Sequence, residues 1–237
     1  MTDTPAALRE AHHADVSGGW LRPAVFGAMD GLVTNIALIA GVGGGGVSPR
    51  SIVLTGTAGL VAGAISMGLG EYTSVRSANE QVAAEVAKER RELERHPEAE
   101  ARELADAWVA RGLPRDLATQ VAEAVRRDPE EALRVHVREE LGVDPDDQPS
   151  PWAAAISSFL FFSVGALIPL LPYLLGATEL WLALAVGGLG LFAAGAVVAR
   201  FTNRPWWTSG LRQLVLGAAA AGATYLVGSL IGVQGGL

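Results

Sequence analysis

The sequence predicts an all-α integral membrane protein with five transmembrane helices and a helical, water-exposed insert between the second and the third. Three observations predict this class. Half of the 237 residues are hydrophobic, and the mean hydropathy is +0.30. Five apolar runs have about the 20 residues that a helix needs to cross the hydrocarbon core of a bilayer. Residues 78–149 contain 19 of the 25 acidic and 11 of the 18 basic residues, so this one segment is strongly acidic.

These patterns divide the chain into four parts. We expect an N-terminal arm over residues 1–22, two spans within 23–77, the acidic insert over 78–149, and three spans within 150–237. The spans are predicted near 23–43, 52–72, 152–175, 180–199 and 211–233. The third and fourth runs are joined by a short turn around 176–179, and their combined length, with Pro169 and Pro172, favours two helices over one. The first twenty residues lack the apolar core of a signal peptide, so no cleavage is expected there.

The arginines predict how the spans are oriented. Arginines precede span one, follow span two and flank the loop between spans four and five, whereas the opposite side has only Arg50. Because positive charge is enriched in cytoplasmic loops, the N-terminus and the insert are expected in the cytoplasm and the C-terminus outside. The chain is then a multi-pass protein of the inner cell membrane, with the lipid bilayer as a partner. The net charge of −7 argues against nucleic acid as another partner.

The insert reads as a small helical bundle that binds metal. One helix continues from span two to about residue 95, and others are predicted over 97–112, from 114, and over 129–142. Glu89 and Glu92, Glu100 and Glu103, and His136 and Glu140 lie three or four residues apart, so each pair shares a helix face. Helical bundles build metal sites from such pairs. The alternative is a set of solvated faces whose acids are neutralised by neighbouring lysine and arginine side chains.

A second constellation lies inside the membrane spans. Asp30 falls within the first apolar run, and Met67 and Glu71 lie four residues apart in the second. An ionisable residue at bilayer depth is costly and is by default a functional hypothesis. Carboxylate oxygens and a thioether sulfur together suit a transition-metal ion. The alternatives are that Met67 only packs and that Glu71 is hydrated at the membrane surface.

Two sequence motifs carry a resemblance. MDGLVTNIALIAG and GAISMGLGEYTSVRSANE resemble the signature of the vacuolar iron transporter family. The predominance of arginine over lysine suggests a bacterial-type member. The resemblance implies five spans per protomer, a homodimer with its ion path at the dimer interface, a cytoplasmic metal-binding domain, and export of Fe(II) or Mn(II) against protons. It implies metal-handling roles for these residues: Asp30, Met67, Glu71, Glu89, Glu92, Glu100, Glu103 and Glu140.

Two neighbouring positions depart from the family pattern. Members can carry a methionine pair just before the last acid, whereas this chain has His136 and Val137. Histidine can replace a methionine as a nitrogen ligand, but valine cannot. His136 is therefore added to the predicted metal residues, and the preference of the insert is expected to move toward ions that bind imidazole.

The predicted function is proton-coupled export of Fe(II), with Mn(II) as a second ion. Divalent ions are the expected partners and cargo, so no resident cofactor and no enzymatic activity are predicted. One alternative is a membrane-anchored metal buffer or sensor without transport. Another is an iron oxidase, but di-iron bundles take a Glu-x-x-His motif from each of two helices, and the nearest pair, Glu92 and His96, has the wrong spacing.

Overall fold

The computed structural model describes residues 19–202 and 204–235, and most of these lie in helices. The predicted arm over 1–22 lies almost entirely outside the described residues. The helices are α1 (Leu21–Gly44), α2 (Pro49–Arg95), α3 (Pro97–Ala110), α4 (Arg115–Val125), α5 (Pro129–His136), a π-helical turn (Val137–Leu141), α6 (Pro151–Leu174), α7 (Leu180–Thr202) and α8 (Trp206–Gly235). The described residues contain no strand. Five helices, α1, α2, α6, α7 and α8, are long and apolar enough to cross a membrane, which confirms the predicted class.

Local sequence signals set where the helices begin. Ser48 and Ser150 cap α2 and α6, and their hydroxyl oxygens accept hydrogen bonds from the backbone N–H groups of Ser51 and Ala153 at 3.2 and 3.3 Å. Each cap is followed by a proline, whose fixed φ suits the first helical position. These boundaries turn the chain sharply at the membrane ends of both helices.

The break between the third and fourth spans lies where the sequence predicts it, but the predicted cause was partly wrong. Pro169 and Pro172 lie inside α6 and do not end it. Proline inside a membrane helix is tolerated because neighbouring groups satisfy the freed backbone carbonyls. The helix ends before Gly176, whose φ of +95° is a left-handed conformation that favours glycine.

Helix α1 is the centre of the membrane bundle, where it packs against α2, α6, α7 and α8. Its contact with α6 is close because both helices lack side chains there. A Cβ atom added to Gly31 would collide with the carbonyl oxygen of Phe162, and one added to Gly165 would collide with that of Ala28. Small residues allow this close approach. The van der Waals contacts that result stabilise the helix pair, because no hydrophobic effect drives helices together in lipid.

Helix α2 joins the bundle to the insert. Its 47 residues span about 70 Å, more than twice the roughly 30 Å of a hydrocarbon core. The remainder projects past the membrane bundle and packs against α3 and α5. A core of Ala101, Leu104, Ala105, Ala118 and Ala122 joins α3 to α4.

Two boundaries differ from the sequence prediction. The fifth span begins at Trp206, five residues before the predicted start. The last helix of the insert is α-helical only to His136, and the next five residues form a π-helical turn that ends at Gly142, with φ +65°. Hydropathy does not report either feature, because a tryptophan pair is typical of an interfacial loop and a five-residue turn is too short to show a period of its own.

Candidate metal centre

Four side chains of the insert converge on one point. Glu89 on α2, Glu100 on α3, His136 at the end of α5 and Glu140 in the π-helical turn each offer an atom within 4.8 Å of the others. The Nδ1 atom of His136 lies 3.2 Å from Oε1 of Glu89, 3.3 Å from Oε1 of Glu140 and 3.9 Å from Oε2 of Glu100. Sequence reasoning selected all four of these residues, and their role as ligands remains a prediction.

The path of the chain explains this convergence. Helix α2 ends at Arg95, and Pro97 starts α3 after a single intervening residue, so Glu89 and Glu100 come from two helices joined by a tight turn. The α5 helix returns the chain to α2. His136 and Glu140 are four residues apart across the junction of α5 with the π-helical turn, so both face the same centre. Such π-helical turns occur often at functional sites.

The centre is buried, although its groups are ionisable. His136 is 2% exposed, Glu89 is 7% exposed and Glu100 is 9% exposed, whereas Glu140 is open to solvent. His136 Nδ1 forms its hydrogen bond with Glu140, and Oε1 of Glu89 is buried without a hydrogen-bond partner. A buried acceptor left unpaired costs free energy. The site is therefore open to a ligand that binds oxygen.

Burial and mutual repulsion weaken the acidity of these carboxyl groups. Loss of hydration, and then the charges of Glu140 and Glu100, raise the pKa of Glu89 from 4.5 to about 7. Burial followed by the charge of Glu103 raises the pKa of Glu100, and His136 opposes this shift. Near neutral pH the centre therefore holds a proton that a divalent cation can displace.

The centre has the chemistry of a site for a first-row divalent metal. It offers three carboxylates and one imidazole, which suit Fe(II), Mn(II), Co(II) or Zn(II), and it contains no thiolate. Carboxylates alone also serve Mg(II) and Ca(II), so the imidazole is the group that favours a transition metal.

Glu92 and Glu103 lie beside this group but outside it. Both carboxylates contribute to the raised pKa of Glu89. Glu92 is half-buried, and its Oε1 lies 3.9 Å from the Nζ atom of Lys88, while Glu103 is exposed. Glu92 and Glu103 are therefore placed where they could attract an ion at the rim of the centre. For Glu92 the alternative is a solvated carboxylate that is neutralised by Lys88.

Inside the membrane bundle, Asp30, Met67 and Glu71 are half-buried. Asp30 lies about 14 Å along α1 from its first residue, and it accepts a hydrogen bond from the hydroxyl of Thr34 at 3.2 Å. Met67 packs beside the buried cluster of Ala64 and Phe162, so it has a packing role whether or not it binds an ion. A carboxylate at this depth of an apolar helix marks α1 as more than an anchor.

Glu71 is connected to the centre in the insert by helix α2. It lies on α2 with Glu89, 18 residues and about 27 Å away along one continuous helix. Next to Glu71, the ring of Tyr72 packs on Trp152 with centroids 4.8 Å apart, and the Asn79 side chain donates to the carbonyl of Pro149 at 3.0 Å. These contacts hold α2 against the start of α6 where it leaves the membrane bundle.

One buried polar residue had no role in the sequence interpretation. Asn35, 1% exposed on α1, donates its amide to the carbonyl of Ala166 on α6, and its side-chain oxygen has no hydrogen-bond partner. The sequence signal that could have identified Asn35 is its polar side chain within an apolar run. The bond ties α1 to α6 where the two helices pack most closely.

Comparison with known proteins places this arrangement among iron transporters. The profile of the VIT family matches residues 21–229. "Vacuolar iron transporter 1" of Oryza sativa subsp. japonica is 34% identical over 233 residues, which is 95% of this chain and 92% of the relative. "Vacuolar iron transporter" of Acanthamoeba castellanii is 37% identical over 204 residues, 81% of this chain and 74% of the relative. "Vacuolar iron transporter" of Toxoplasma gondii is 30% identical over 232 residues, 93% and 77% of the two chains.

Proposed function

The chain belongs to the VIT family, and on that premise we propose that this multi-pass membrane protein exports Fe(II) from the cytosol in exchange for protons. Mn(II) is a second cargo. The observation that carries the proposal is the buried group of Glu89, Glu100 and His136, because Glu89 lies on the same continuous helix as Met67 and Glu71. A binding site joined in this way to an intramembrane carboxylate path suits transport better than storage.

The first step is capture by the insert. The ion binds the carboxylates of Glu89, Glu100 and Glu140 and the imidazole of His136, with Glu92 and Glu103 attracting it at the rim. Binding displaces the proton from Glu89, because a carboxylate must be deprotonated to bind a metal. Exposed Glu140 gives the ion a way in from solvent.

The second step is passage through the membrane bundle. The ion moves to Glu71 at the end of span two, then to Met67 and to Asp30. Each carboxylate replaces part of the water shell of the ion and can take up a proton when the ion has left. Competition between metal and protons for the same groups couples the two movements, which is the minimal requirement of an antiporter.

The proposed assembly is a homodimer in the inner cell membrane. The path lies at the interface between the first two spans of both protomers, and the insert and the N-terminus are cytoplasmic. Two observations support this arrangement. Helix α2 keeps a face of large apolar side chains exposed, including Val61 and Ile65 at 50% and 49%. Arg50 and Glu179 are the only charged residues near the end of the spans opposite the insert within the described part of the chain.

Transport into liposomes tests the proposal against a metal buffer. The purified protein is reconstituted in vesicles that contain an Fe(II)-quenched dye, and a pH gradient is imposed with the acidic side inside. Export chemistry predicts Fe(II) entry that depends on the gradient, together with alkalinisation of the lumen. A membrane-anchored buffer would bind Fe(II) in proportion to protein and give no flux, which would contradict the proposal.

A further inference from the structure

The connection between α7 and α8 carries positive charge without local compensation. Arg200, Arg204 and Arg212 are all exposed, and none forms an ion pair with any residue that the structure describes. From residue 180 to residue 237 the sequence contains no Asp or Glu. These arginines lie at the end of the spans from which the insert projects, yet the acidic insert pairs its own bases internally, as Arg90 does with Glu130.

Arg212 lies within helix α8 and not in the loop that precedes it. It is six residues, or about 9 Å, into α8 from Trp206. It lines a shallow groove along one face of the helix with Trp207, Thr208, Leu211, Val215 and Leu216. Every other side chain of this groove except Thr208 is apolar or aromatic. An arginine beside apolar side chains gains from a bound anion, because a charge next to hydrocarbon is costly unless it is paired.

The groove is held in place by the packing of α7 on α8. The ring of Phe192 meets that of Trp206 edge-on at 5.9 Å. A Cβ atom added to Gly195 would lie 2.6 Å from the carbonyl oxygen of Ser209, so the two backbones touch one turn before Arg212. Trp206 and Trp207 remain 60% and 55% exposed, as is typical of aromatic residues at a membrane interface.

We propose that the face formed by Arg212, Trp207, Val215 and Leu216 binds an anionic phospholipid. The guanidinium of Arg212 binds the phosphodiester, Arg200 and Arg204 add positive potential at the same end, and one acyl chain lies along Val215 and Leu216. This site is separate from Asp30, Met67 and Glu71 and does not depend on metal transport. The apolar side chains of Val215 and Leu216 next to Arg212 favour a lipid over a soluble phosphate, because only a lipid brings an acyl chain that can cover them.

Positive charge in loops also sets the orientation in which the chain inserts, and that role depends only on how many positive residues a loop has. It does not require an arginine almost two turns inside the helix in a groove lined by Leu211, Val215 and Leu216. A specific lipid site predicts a response that is stronger at Arg212 than at an arginine elsewhere and that distinguishes head groups. These two properties make the proposal testable.

The test is native mass spectrometry of the full chain with phosphatidylglycerol and phosphatidylcholine of equal chain length. The wild type should retain phosphatidylglycerol in preference. Arg212→Gln should weaken this binding about fivefold, and the triple variant with Arg200→Gln and Arg204→Gln about a hundredfold. Arg212→Lys keeps the charge and should lose less than Arg212→Gln. Arg50→Gln, at the opposite end of the spans, is the matched control and should bind as the wild type does.

Thermal unfolding in nanodiscs of each lipid is measured alongside, so that a misfolded variant is recognised and replaced by its lysine counterpart. Equal retention of both lipids by the wild type would overturn the proposal, as would equal losses for Arg50→Gln and Arg212→Gln. Full competition by soluble glycerol 3-phosphate at the same concentration as the lipid would also overturn it, since the site would then recognise a phosphate without its acyl chains.

Discussion

His136 is the residue of the predicted metal centre whose chemistry differs most from that of its neighbours. Its imidazole is buried among three carboxylates, and its Nδ1 atom lies within 3.9 Å of each of them. A methionine sulfur in this place would be a soft ligand, whereas a neutral imidazole is a borderline one that also suits Zn(II) and Co(II). We therefore expect the selectivity of the insert to depend on this single side chain.

We predict that His136→Asn weakens Co(II) binding to the insert by about tenfold or more, because it removes the only nitrogen ligand of the centre. Mn(II), which prefers oxygen, should lose less. Visible absorption of bound Co(II) and electron paramagnetic resonance of Mn(II) measure the two affinities. His96→Asn is the control, since His96 is exposed at the α2–α3 junction. Equal losses for both ions, or for both variants, would contradict an imidazole ligand.

Glu89 makes the stability of the metal-free protein depend on pH. Its pKa is about 7 in the folded protein against 4.5 as the ordinary value, so the folded state binds this proton more tightly than the unfolded chain. The contribution of Glu89 to stability is then fully present below the unfolded pKa and is lost as pH rises from about 4.5 to about 7. The raised pKa of Glu100 acts in the same direction.

We predict that Glu89→Gln raises the melting temperature of the metal-free protein at about pH 8 and flattens its decline from about pH 5. Addition of Mn(II) near pH 8 should raise the melting temperature of the wild type but should raise that of the variant only slightly. Scanning fluorimetry in detergent follows both effects. Glu85→Gln, an exposed position one turn earlier on α2, serves as the control. A variant with the same pH dependence as the wild type would rule out Glu89 as the source.

At the scale of elements, α2 is the helix that carries both Glu89 of the insert and Met67 and Glu71 of the membrane bundle. Hydropathy predicted that the helix leaves the membrane and continues to about residue 95, and the structure confirms the continuation to Arg95. The turn at Pro97 was also predictable, because proline is tolerated at the first position of a helix. The π-helical turn was not, because no local residue preference distinguishes it from an α-helix.

The contact of α1 with α6 depends on glycine at positions where the backbones touch. We predict that Gly165→Val lowers the melting temperature and the yield of folded protein, because its side chain would collide with the Ala28 carbonyl at a cost of about 1–3 kcal/mol or more. Gly222→Val, in α8, is the control, since no atom lies within 4 Å of an added Cβ atom there. Similar melting curves for the two variants would show that the helices do not pack so closely.

At the scale of the whole molecule, the sequence was sufficient for the number of spans, and its six candidates in the insert include the four residues that meet there. Apolar runs and charge distribution report what each segment contacts, and pair spacing places side chains on one helix face. Neither reports which faces meet. The separation of Glu92 and Glu103 from Glu89 and His136 depends on the angle between α2 and α3, and the exposure of the α8 face at Arg212 depends on which other face of α8 packs against α7.

The proposed dimer is tested by cysteine cross-linking, which is simple because the chain contains no cysteine. Ile65→Cys lies on the exposed face of α2 and should form an intermolecular disulfide in membranes under oxidation. Leu226→Cys, equally apolar and 62% exposed on α8, should stay monomeric. Denaturing gels without reductant separate the two results. Cross-linking of Leu226→Cys without Ile65→Cys would place the interface elsewhere.

The most direct test of the proposed path is Fe(II) flux through Asp30→Asn, a variant of similar size that removes the intramembrane charge. In vesicles with an imposed pH gradient, we predict that this variant loses flux by at least about tenfold while Co(II) still binds the insert as in the wild type. The loss follows because the ion has no carboxylate to replace its water at mid-depth. Flux equal to that of the wild type, with the same dependence on the pH gradient, would contradict the proposed path.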